Sequence, residues 1–305
     1  MTLTTIKYLL DKANKKNYAV GAFNVNDMEI LEAIVRAAES QKSPVILQTS
    51  EGAIKYAGLK VLFNLLKTVG DNTKIPAVIH LDHGRNFDLI KQCVKIGYTS
   101  IMIDASNFEF KENIRQTKKV VSLCEKKGVS VEAELGTIGG AEESIVSRKI
   151  IYTEPSAAKD FTEKTGIDAL AIAIGTSHGA FKFAGRQKLD IERLKQIKKL
   201  VKIPLVLHGA SCVPKWLINR ANKFGARISG AEGVPDSQVA LAVKNGINKV
   251  NTDTDLRLAF TESVRETLAK KPSEFDPRNI LGPAKDLIQK IVEHRMKLFG
   301  SSDKA

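Results

Sequence analysis

The sequence predicts an α/β fold in which eight parallel strands alternate with helices and close into a (β/α)8, or TIM, barrel. Eight short apolar runs are each followed by a segment with helical spacing of its apolar residues. Most of these runs end in an acid, an imidazole or an amide, as strands do at the active-site end of such barrels. An open doubly wound sheet is the alternative, but no Gly-x-Gly-x-x-Gly loop follows the first strand.

The elements follow one another regularly along the 305 residues. A leading helix is predicted over Thr5–Lys16, before the first strand. The predicted strands are Ala19–Asn24, Pro44–Ser50, Pro76–His83, Thr99–Asp104, Val129–Glu134, Ala169–Gly175, Leu205–His208 and Ile247–Asn251. The other predicted helices are Asp27–Gln41, Leu59–Val69, Asn86–Ile96, one ending at Lys127, Pro155–Thr165, Asp190–Val201, Trp216–Phe224, Asp236–Asn245, Asp255–Lys270 and Pro283–Leu298.

One domain is predicted over 1–305, with the barrel at about 18–270 and a C-terminal helical extension at about 271–305. The segment Leu135–Thr153 lacks clear periodicity and is rich in glycine and acids. A loop of that length inside a compact domain is usually functional or mobile. The extra N-terminal helix and the C-terminal extension lie outside the predicted barrel and are expected to be additions to it.

Composition excludes several classes of protein. Hydrophobic residues make up 43% and charged residues 27%, which is ordinary for a protein with a sizeable core. The net charge of +13 comes from lysines scattered along helices with few aromatics beside them, so no nucleic-acid role is predicted. No apolar stretch approaches the roughly 20 residues that span a bilayer. Three well-separated cysteines and a start without signal-peptide character favour a cytoplasmic protein with reduced thiols.

Three of the five histidines, His83, His178 and His208, close apolar runs just before a glycine. Imidazoles at the ends of separate strands suit a catalytic Zn²⁺ site with one position open for water or substrate. Each histidine alone could instead be a buried, hydrogen-bonded residue. His80 is expected to pack inside the barrel, and His294 to lie at the surface.

Carboxylates and one lysine accompany these histidines. Asp82, beside His83, is predicted to move protons next to the metal, with orientation of an imidazole as the alternative. Asp104 and Glu134 end neighbouring strands and are candidates for metal ligands, for acceptors that orient ligands, or for salt bridges. Lys249 could form a Schiff base, but a metal makes a second electrophile redundant, so an ion pair with a neighbouring acid is preferred.

Loops after strands six, seven and eight carry glycines and hydroxyl residues. They contain Gly179 with Lys182, Gly209 with Ser211, and the run Asn251–Thr254. Loops near the last strands of a barrel commonly bind phosphate through backbone N–H groups. The sequence therefore predicts a phosphate site at this edge.

Five motifs in order resemble the class II, zinc-dependent fructose-1,6-bisphosphate aldolases, most closely the class IIB branch. They are His-Leu-Asp-His-Gly, Val-Glu-Ala-Glu-Leu-Gly, Ile-Gly-Thr-Ser-His-Gly-Ala-Phe-Lys, Leu-His-Gly-Ala-Ser and Asn-Thr-Asp-Thr-Asp. The resemblance runs from about Gly21 to the last helix. It implies reversible cleavage of fructose 1,6-bisphosphate to dihydroxyacetone phosphate and glyceraldehyde 3-phosphate in glycolysis and gluconeogenesis. Alternatives are a tagatose-1,6-bisphosphate aldolase and a non-catalytic sugar-phosphate or surface-binding protein.

The resemblance also implies roles at the reacting atoms. Zn²⁺ would bind His83, His178 and His208, with Asp104 and Glu134 near a second metal position. Asp82 would take the proton of the C4 hydroxyl. Glu142, or Glu143 beside it, would exchange a proton at the enediolate carbon. Substrate hydroxyls and the enediolate would be bound by Asn24, Ser50 and Asn251.

Phosphate recognition and assembly are implied in the same way. One phosphate would lie, with Na⁺ or K⁺ nearby, on Gly179, Lys182, Gly209, Ser211, Asp253 and Thr254. Arg257 and Arg278 would bind the other phosphate. Such an arginine can come from a neighbouring subunit in this family, so a homodimer or homotetramer is expected. Asp255, in Asn-Thr-Asp-Thr-Asp-Leu-Arg, matches the pattern for the fructose epimer and is placed with the substrate-binding residues.

Overall fold

A computed structural model describes residues 3–142, 145–147, 150–178 and 188–305, with the backbone alone at 139–142, 145–147 and 178. The strands are β1 (Val20–Asn24), β2 (Val45–Ser50), β3 (Ala77–Gly84), β4 (Ser100–Ile103), β5 (Ser130–Leu135), β6 (Gly139–Glu142), β7 (Ile145–Ser147), β8 (Ala169–Ile172), β9 (Ser177–His178), β10 (Leu205–Leu207) and β11 (Ile247–Thr252). Eight of them form a closed barrel in the order β1-β11-β10-β8-β5-β4-β3-β2. All neighbours in this barrel pair in parallel, so the predicted (β/α)8 fold is confirmed.

Helices surround the barrel, and further helices precede its first strand and follow its last one. Their bounds are α1 (Ile6–Lys16), α2 (Met28–Ser40), α3 (Glu51–Ala57), α4 (Leu59–Asn72), α5 (Phe87–Ile96), α6 (Phe110–Glu125), α7 (Pro155–Thr165), α8 (Ile191–Leu200), α9 (Lys215–Lys223), α10 (Asp236–Lys244), α11 (Thr254–Lys270) and α12 (Pro277–Phe299). Several begin where a side-chain oxygen accepts a backbone N–H, as Asp27 does for α2 and Asn86 for α5.

The strands separate two apolar layers because their side chains alternate. On β2, Val45 and Leu47 pack outward in the cluster shared with the helices, whereas Ile46 packs inward. The inward cluster also contains Ile6 and Leu10 of α1. Helix α1 therefore closes the amino-terminal end of the barrel, and chemistry is left to the carboxyl-terminal end.

Several elements differ from the sequence-based prediction, most clearly one unpredicted helix, one predicted loop and the start of the last helix. Helix α3 was not predicted; it begins where the Ser50 hydroxyl accepts the N–H of Ala53. Residues 135–153, predicted as loop, contain β6 and β7, and these form a small separate sheet with β9. The last helix begins at Pro277 rather than at Pro283, since Asp276 caps it and proline fits its first turn.

Candidate active site

Polar side chains collect where the barrel strands end. Every one that the structure describes is buried or nearly so, although these residues come from seven different strands or the loops that follow them. They are Asn24, Ser50, Asp82, His83, Asp104, Glu134, His208 and Asn251. Parallel strands in a closed barrel bring their carboxyl ends to one rim, which is how residues so far apart in sequence meet.

Asp82 and His83 are consecutive, yet both face the site. Successive strand side chains normally point to opposite faces. The pairing of β3 with β4 shifts between Leu81 and Gly84, and His83 takes a left-handed φ of 46°. This bulge turns His83 inward beside Asp82, and a positive φ at a non-glycine residue often marks a functional site.

Two imidazoles meet at the centre. His83 Nε2 lies 2.8 Å from His208 Nδ1. The other nitrogen of each ring contacts a carboxylate: His83 Nδ1 lies 3.0 Å from Asp104 Oδ2, and His208 Nε2 lies 2.7 Å from Glu132 Oε1. Each ring is thus held from behind and presents one nitrogen to the same space.

Asp104 is occupied by donors within the protein. Besides His83, its Oδ2 accepts bonds from Arg85 Nε and Nη2, at 3.0 and 2.7 Å, and its Oδ1 accepts from the Ser106 hydroxyl at 2.7 Å. Burial raises the pKa of the Asp104 carboxyl, but these bonds and charges outweigh burial and hold it well below its usual range. The geometry fits a carboxylate that orients His83; a ligand role stays a prediction.

The site favours positive charge. Burial lowers the pKa of His83, but the carboxylates of Asp82, Asp104 and Glu134 more than reverse this and raise it to about 10. Burial and the charge of Asp104 raise the pKa of Glu134 to about 8. Carboxylates in a buried site that draw a proton onto an imidazole would also attract a metal cation.

Asp82 is held by three amides. Its Oδ2 accepts bonds from Asn24 Nδ2 at 3.1 Å and Gln48 Nε2 at 3.2 Å, and its Oδ1 accepts from Asn251 Nδ2 at 3.1 Å. Asn24 is itself fixed by Gln48, whose Nε2 lies 2.6 Å from Asn24 Oδ1. Neutral donors fix the direction of the carboxylate without supplying a counter-charge.

The described residues fit a divalent cation. Two sets offer ligand atoms within 4.8 Å of one another: Asp82 with His83 and His208, and His83 with Asp104 and Glu134. Glu134 Oε2 and Asn251 Oδ1 are buried and accept no hydrogen bond from the described part of the chain. Imidazole nitrogen and carboxylate oxygen together are a donor set that Zn²⁺ takes.

Glu132 was missed by sequence reasoning. It stands two residues before Glu134 on β5, so both side chains lie on one face of the strand, and this period of two was the available signal. Glu132 Oε2 lies 2.8 Å from Lys249 Nζ, both fully buried, which confirms the ion pair predicted for Lys249.

His80 is buried inside the barrel as predicted, with its Nδ1 2.8 Å from Ser100 Oγ. His294 is largely exposed as expected, and its ring also meets Asp236 at 2.6 Å.

The loop after β10 is shaped for close approach. Gly209 has a φ of +61°, and a Cβ added there would lie 2.6 Å from the carbonyl oxygen of Ser177. Ser211 Oγ accepts the backbone N–H of Asp253 at 3.3 Å, which ties this loop to the one after β11. Thr254 begins helix α11 directly behind Asp253, so the amino-terminal end of that helix also faces this loop.

Asp255, predicted to bind substrate, is occupied by backbone donors within the protein, and its substrate contact stays a prediction. It is fully buried, and its two oxygens accept the backbone N–H groups of Cys212 and Val213, at 3.0 and 2.7 Å. Arg295, also buried, donates from Nη2 to the carbonyl oxygen of Ala210 at 2.7 Å. The carboxylate of Asp255 and the guanidinium of Arg295 therefore hold the loop after β10 through hydrogen bonds to its backbone.

The predicted phosphate arginines differ in setting. Arg257 donates from Nε to Asp253 Oδ1 at 2.9 Å, at the edge of the site. Arg278 is 89% exposed and pairs with its neighbour Asp276 at the start of α12. Gly179, Lys182 and Glu143 lie outside the described residues. His178 ends β9 and Glu142 ends β6, but only their backbones are described.

A closed barrel with carboxylates and imidazoles gathered at its carboxyl-terminal end defines a (β/α)8 enzyme. The family described as Fructose-bisphosphate aldolase class-II matches residues 4–304. The chain is 48% identical over 305 residues to a fructose-bisphosphate aldolase of Thermus caldophilus, covering 99% of this chain and 100% of that protein. A fructose-bisphosphate aldolase of Giardia intestinalis is 46% identical, over 100% of this chain and 95% of its own length.

The structure is also similar to that of the YdjI aldolase from Escherichia coli K12, with a TM-score of 0.81, 31% identity and 99% coverage of both chains. The chain belongs to the class II fructose-bisphosphate aldolase family. Members of this family are aldol-cleaving lyases and are generally metal-dependent. Among the described residues, no helix combines the length and apolar character needed to cross a bilayer.

Proposed function

We propose that the protein catalyses reversible aldol cleavage of fructose 1,6-bisphosphate to dihydroxyacetone phosphate and glyceraldehyde 3-phosphate, a step of glycolysis and gluconeogenesis. One observation carries the proposal in a chain of this family. The Asp82 carboxylate, aimed by three amides, has a ligand atom within 4.8 Å of those of His83 and His208. Aldol cleavage needs a base for a hydroxyl proton close to an electrophile for a ketone, and this arrangement supplies positions for both.

Asp82 takes the proton of the C4 hydroxyl as the C3–C4 bond breaks, and the bonding electrons move toward the C2 ketone. In condensation the same carboxyl returns the proton. Zn²⁺ held by His83, His178 and His208, with Asp104 and Glu134 near a second position, would act as the Lewis acid for the ketone.

Neighbouring residues bind the substrate and its enediolate. Asn251 donates to Asp82 and lies 3.2 Å from His208 Nδ1, which supports a role for its amide at the developing negative oxygen. Asn24 and Ser50 bind substrate hydroxyls. Glu142 exchanges the proton at the enediolate carbon, with Glu143 as the alternative.

The substrate phosphates bind at two places. The loops after β9, β10 and β11 hold one phosphate through Gly179, Lys182, Gly209, Ser211, Asp253 and Thr254, with Na⁺ or K⁺ alongside. The packing of Gly209 against the backbone of Ser177, which brings the loop after β10 next to β9, and the helix start at Thr254 support this assignment. Arg257 and Arg278 bind the other phosphate. We assign to Asp255 a structural role, in which it holds the loop after β10 by accepting two of its backbone N–H groups.

Assembly and location complete the proposal. The exposure of Arg278 and of Phe275, at 89% for the Arg278 side chain and 90% for Phe275, supports a homodimer or homotetramer in which this surface meets another subunit. Three cysteines that form no disulfide support a cytoplasmic location.

A substrate comparison tests the proposal. Cleavage rates with fructose 1,6-bisphosphate and tagatose 1,6-bisphosphate are measured by coupling dihydroxyacetone phosphate to its reductase. We expect a clearly higher kcat/KM for the fructose epimer. Preference for tagatose would reassign the substrate. Borohydride trapping of a substrate adduct on Lys249 would replace the metal mechanism with a Schiff base, and absence of cleavage with either sugar would leave only a binding role.

A further inference from the structure

Glu132 has no role in the proposed reaction, but it lies at the centre of a buried cluster that includes the proposed metal ligand His208. It is fully buried on β5, and its carboxylate meets three basic groups from three other strands or their ends. His208 Nε2 lies 2.7 Å from Oε1, Lys249 Nζ lies 2.8 Å from Oε2, and His80 Nε2 lies 3.6 Å from Oε2. A carboxylate withdrawn from water in this way is costly unless it is paired and hydrogen-bonded.

The contact with Glu132 decides which nitrogen of His208 can bind a cation. A neutral imidazole donates from one nitrogen and accepts at the other. Because an ionised carboxylate only accepts, the bond to Glu132 keeps the proton of His208 on Nε2. The lone pair is then on Nδ1, which is the atom that lies 2.8 Å from His83 Nε2.

Lys249 is the buried counter-ion of Glu132 inside the barrel. The ammonium and carboxylate side chains are both fully buried, so neither is screened by water. Lys249 stands on β11 two residues before Asn251, and Glu132 stands on β5 two residues before Glu134. The ion pair therefore lies one layer beneath the site and links strands on different sides of the barrel.

We propose that Glu132, with Lys249 as its buried counter-ion, is a positioning residue that fixes the tautomer and ring direction of His208 for divalent-cation binding. This rests on the proposed metal-dependent function and deepens it. A cluster needed only for folding would affect stability and leave the affinity for the cation unchanged.

The test measures Zn²⁺ affinity of the metal-free protein by competition with a chromophoric chelator at fixed pH. One variant combines Glu132→Leu with Lys249→Met, which removes both charges without leaving either unpaired. A second variant, Glu132→Gln, keeps an acceptor oxygen but loses the charge. The control is Glu262→Gln, which alters another fully buried carboxylate, paired with Arg220 at 3.0 Å, away from the site.

We expect the double variant to raise the Kd for Zn²⁺ about 10- to 100-fold. Its metal-free Tm should fall no further than that of the control. Glu132→Gln should raise the Kd less, and the control should leave it unchanged. A folded double variant with wild-type Kd would overturn the proposal. If the double variant does not fold, the Kd of Glu132→Gln decides. A raised Kd supports the proposal, and a wild-type Kd overturns it. A wild-type protein that binds no Zn²⁺ would instead contradict the proposed function.

Discussion

His83 Nε2 and His208 Nδ1 lie 2.8 Å apart although 125 positions separate the two residues in the chain. Each ring is fixed through its other nitrogen by a carboxylate, that of Asp104 at the rim for His83 and that of Glu132 one layer beneath it for His208. The two nitrogens that face each other are the ones that we propose to bind a cation. Asp82 completes this arrangement as the group that would move protons.

Replacing Asp82 by Asn should lower kcat about 10²- to 10⁴-fold, because a general base of this kind contributes about that much. The side chain keeps its size, so the three amides around it should still hold it and Tm should change little. Steady-state kinetics and a thermal melt measure both effects. Asp160→Asn, at an exposed carboxylate paired with Lys164, is the control. A near-normal kcat would refute proton transfer by Asp82.

Gly209→Ala should raise the KM for fructose 1,6-bisphosphate, by about tenfold if roughly 1.4 kcal/mol of phosphate binding is lost. The added methyl would meet the carbonyl oxygen of Ser177 and displace the loop. Gly230→Ala is a matched control, since Gly230 also has a positive φ, +68°, but no atom lies within 4 Å of an added Cβ. Equal KM values for the two variants would show that the loop does not bind the phosphate.

Asp255→Asn should lower Tm and raise KM together. The carboxylate accepts two buried backbone N–H groups of the strand-ten loop, and weakening such bonds costs about 1–3 kcal/mol. Thermal melts and kinetics on the same preparation measure the two quantities. A large loss of kcat/KM with unchanged Tm would instead indicate direct contact with the substrate, as the sequence motif had suggested.

Much of this site could be predicted from the sequence, and the remainder depended on packing. Apolar runs ending in His83, His208 or Asp104 identified the rim because parallel strands share one end. The bulge that places Asp82 and His83 on the same side has no local sequence signal, since alternation predicts opposite faces. The motif also could not show that Asp255 is buried behind its loop.

The interior of the barrel was harder to predict than its rim. Lys249 was correctly expected to pair with an acid, but its partner could be identified only once β5 and β11 were placed in the barrel. The sequence predicts a helix start at Pro283, although the cap at Asp276 starts the helix at Pro277, more than one and a half turns earlier. Local sequence patterns predict the helices and strands, whereas the partner of a buried side chain depends on tertiary contacts.

Lys198 should make stability depend on pH above neutrality. Burial, and then the charge of Lys202, lower its pKa from 10.5 to about 8. Between these values the unfolded chain binds more protons than the folded one, so this lysine makes stability rise as pH rises from about 8 to about 10.5. Its Nζ contacts Asn14 and Asn248, at 2.7 and 3.2 Å.

Melting curves of wild type and Lys198→Met at pH 7.5 and pH 10 measure this effect. The Tm of wild type relative to the variant should increase at the higher pH. Lys195→Met, at an exposed lysine of the same helix, should show no such change. A constant difference between wild type and Lys198→Met would mean that Lys198 does not titrate in this range.

The most direct measurement of the central claim is bound metal together with cleavage of fructose 1,6-bisphosphate, followed through chelation and re-addition of Zn²⁺. Elemental analysis gives the metal content, and His208→Ala supplies a protein lacking one ring of the site. We predict that chelation removes the metal and abolishes cleavage, that Zn²⁺ restores both in the wild type, and that neither returns in the variant. Cleavage that survives chelation, or full activity in His208→Ala, would contradict the account.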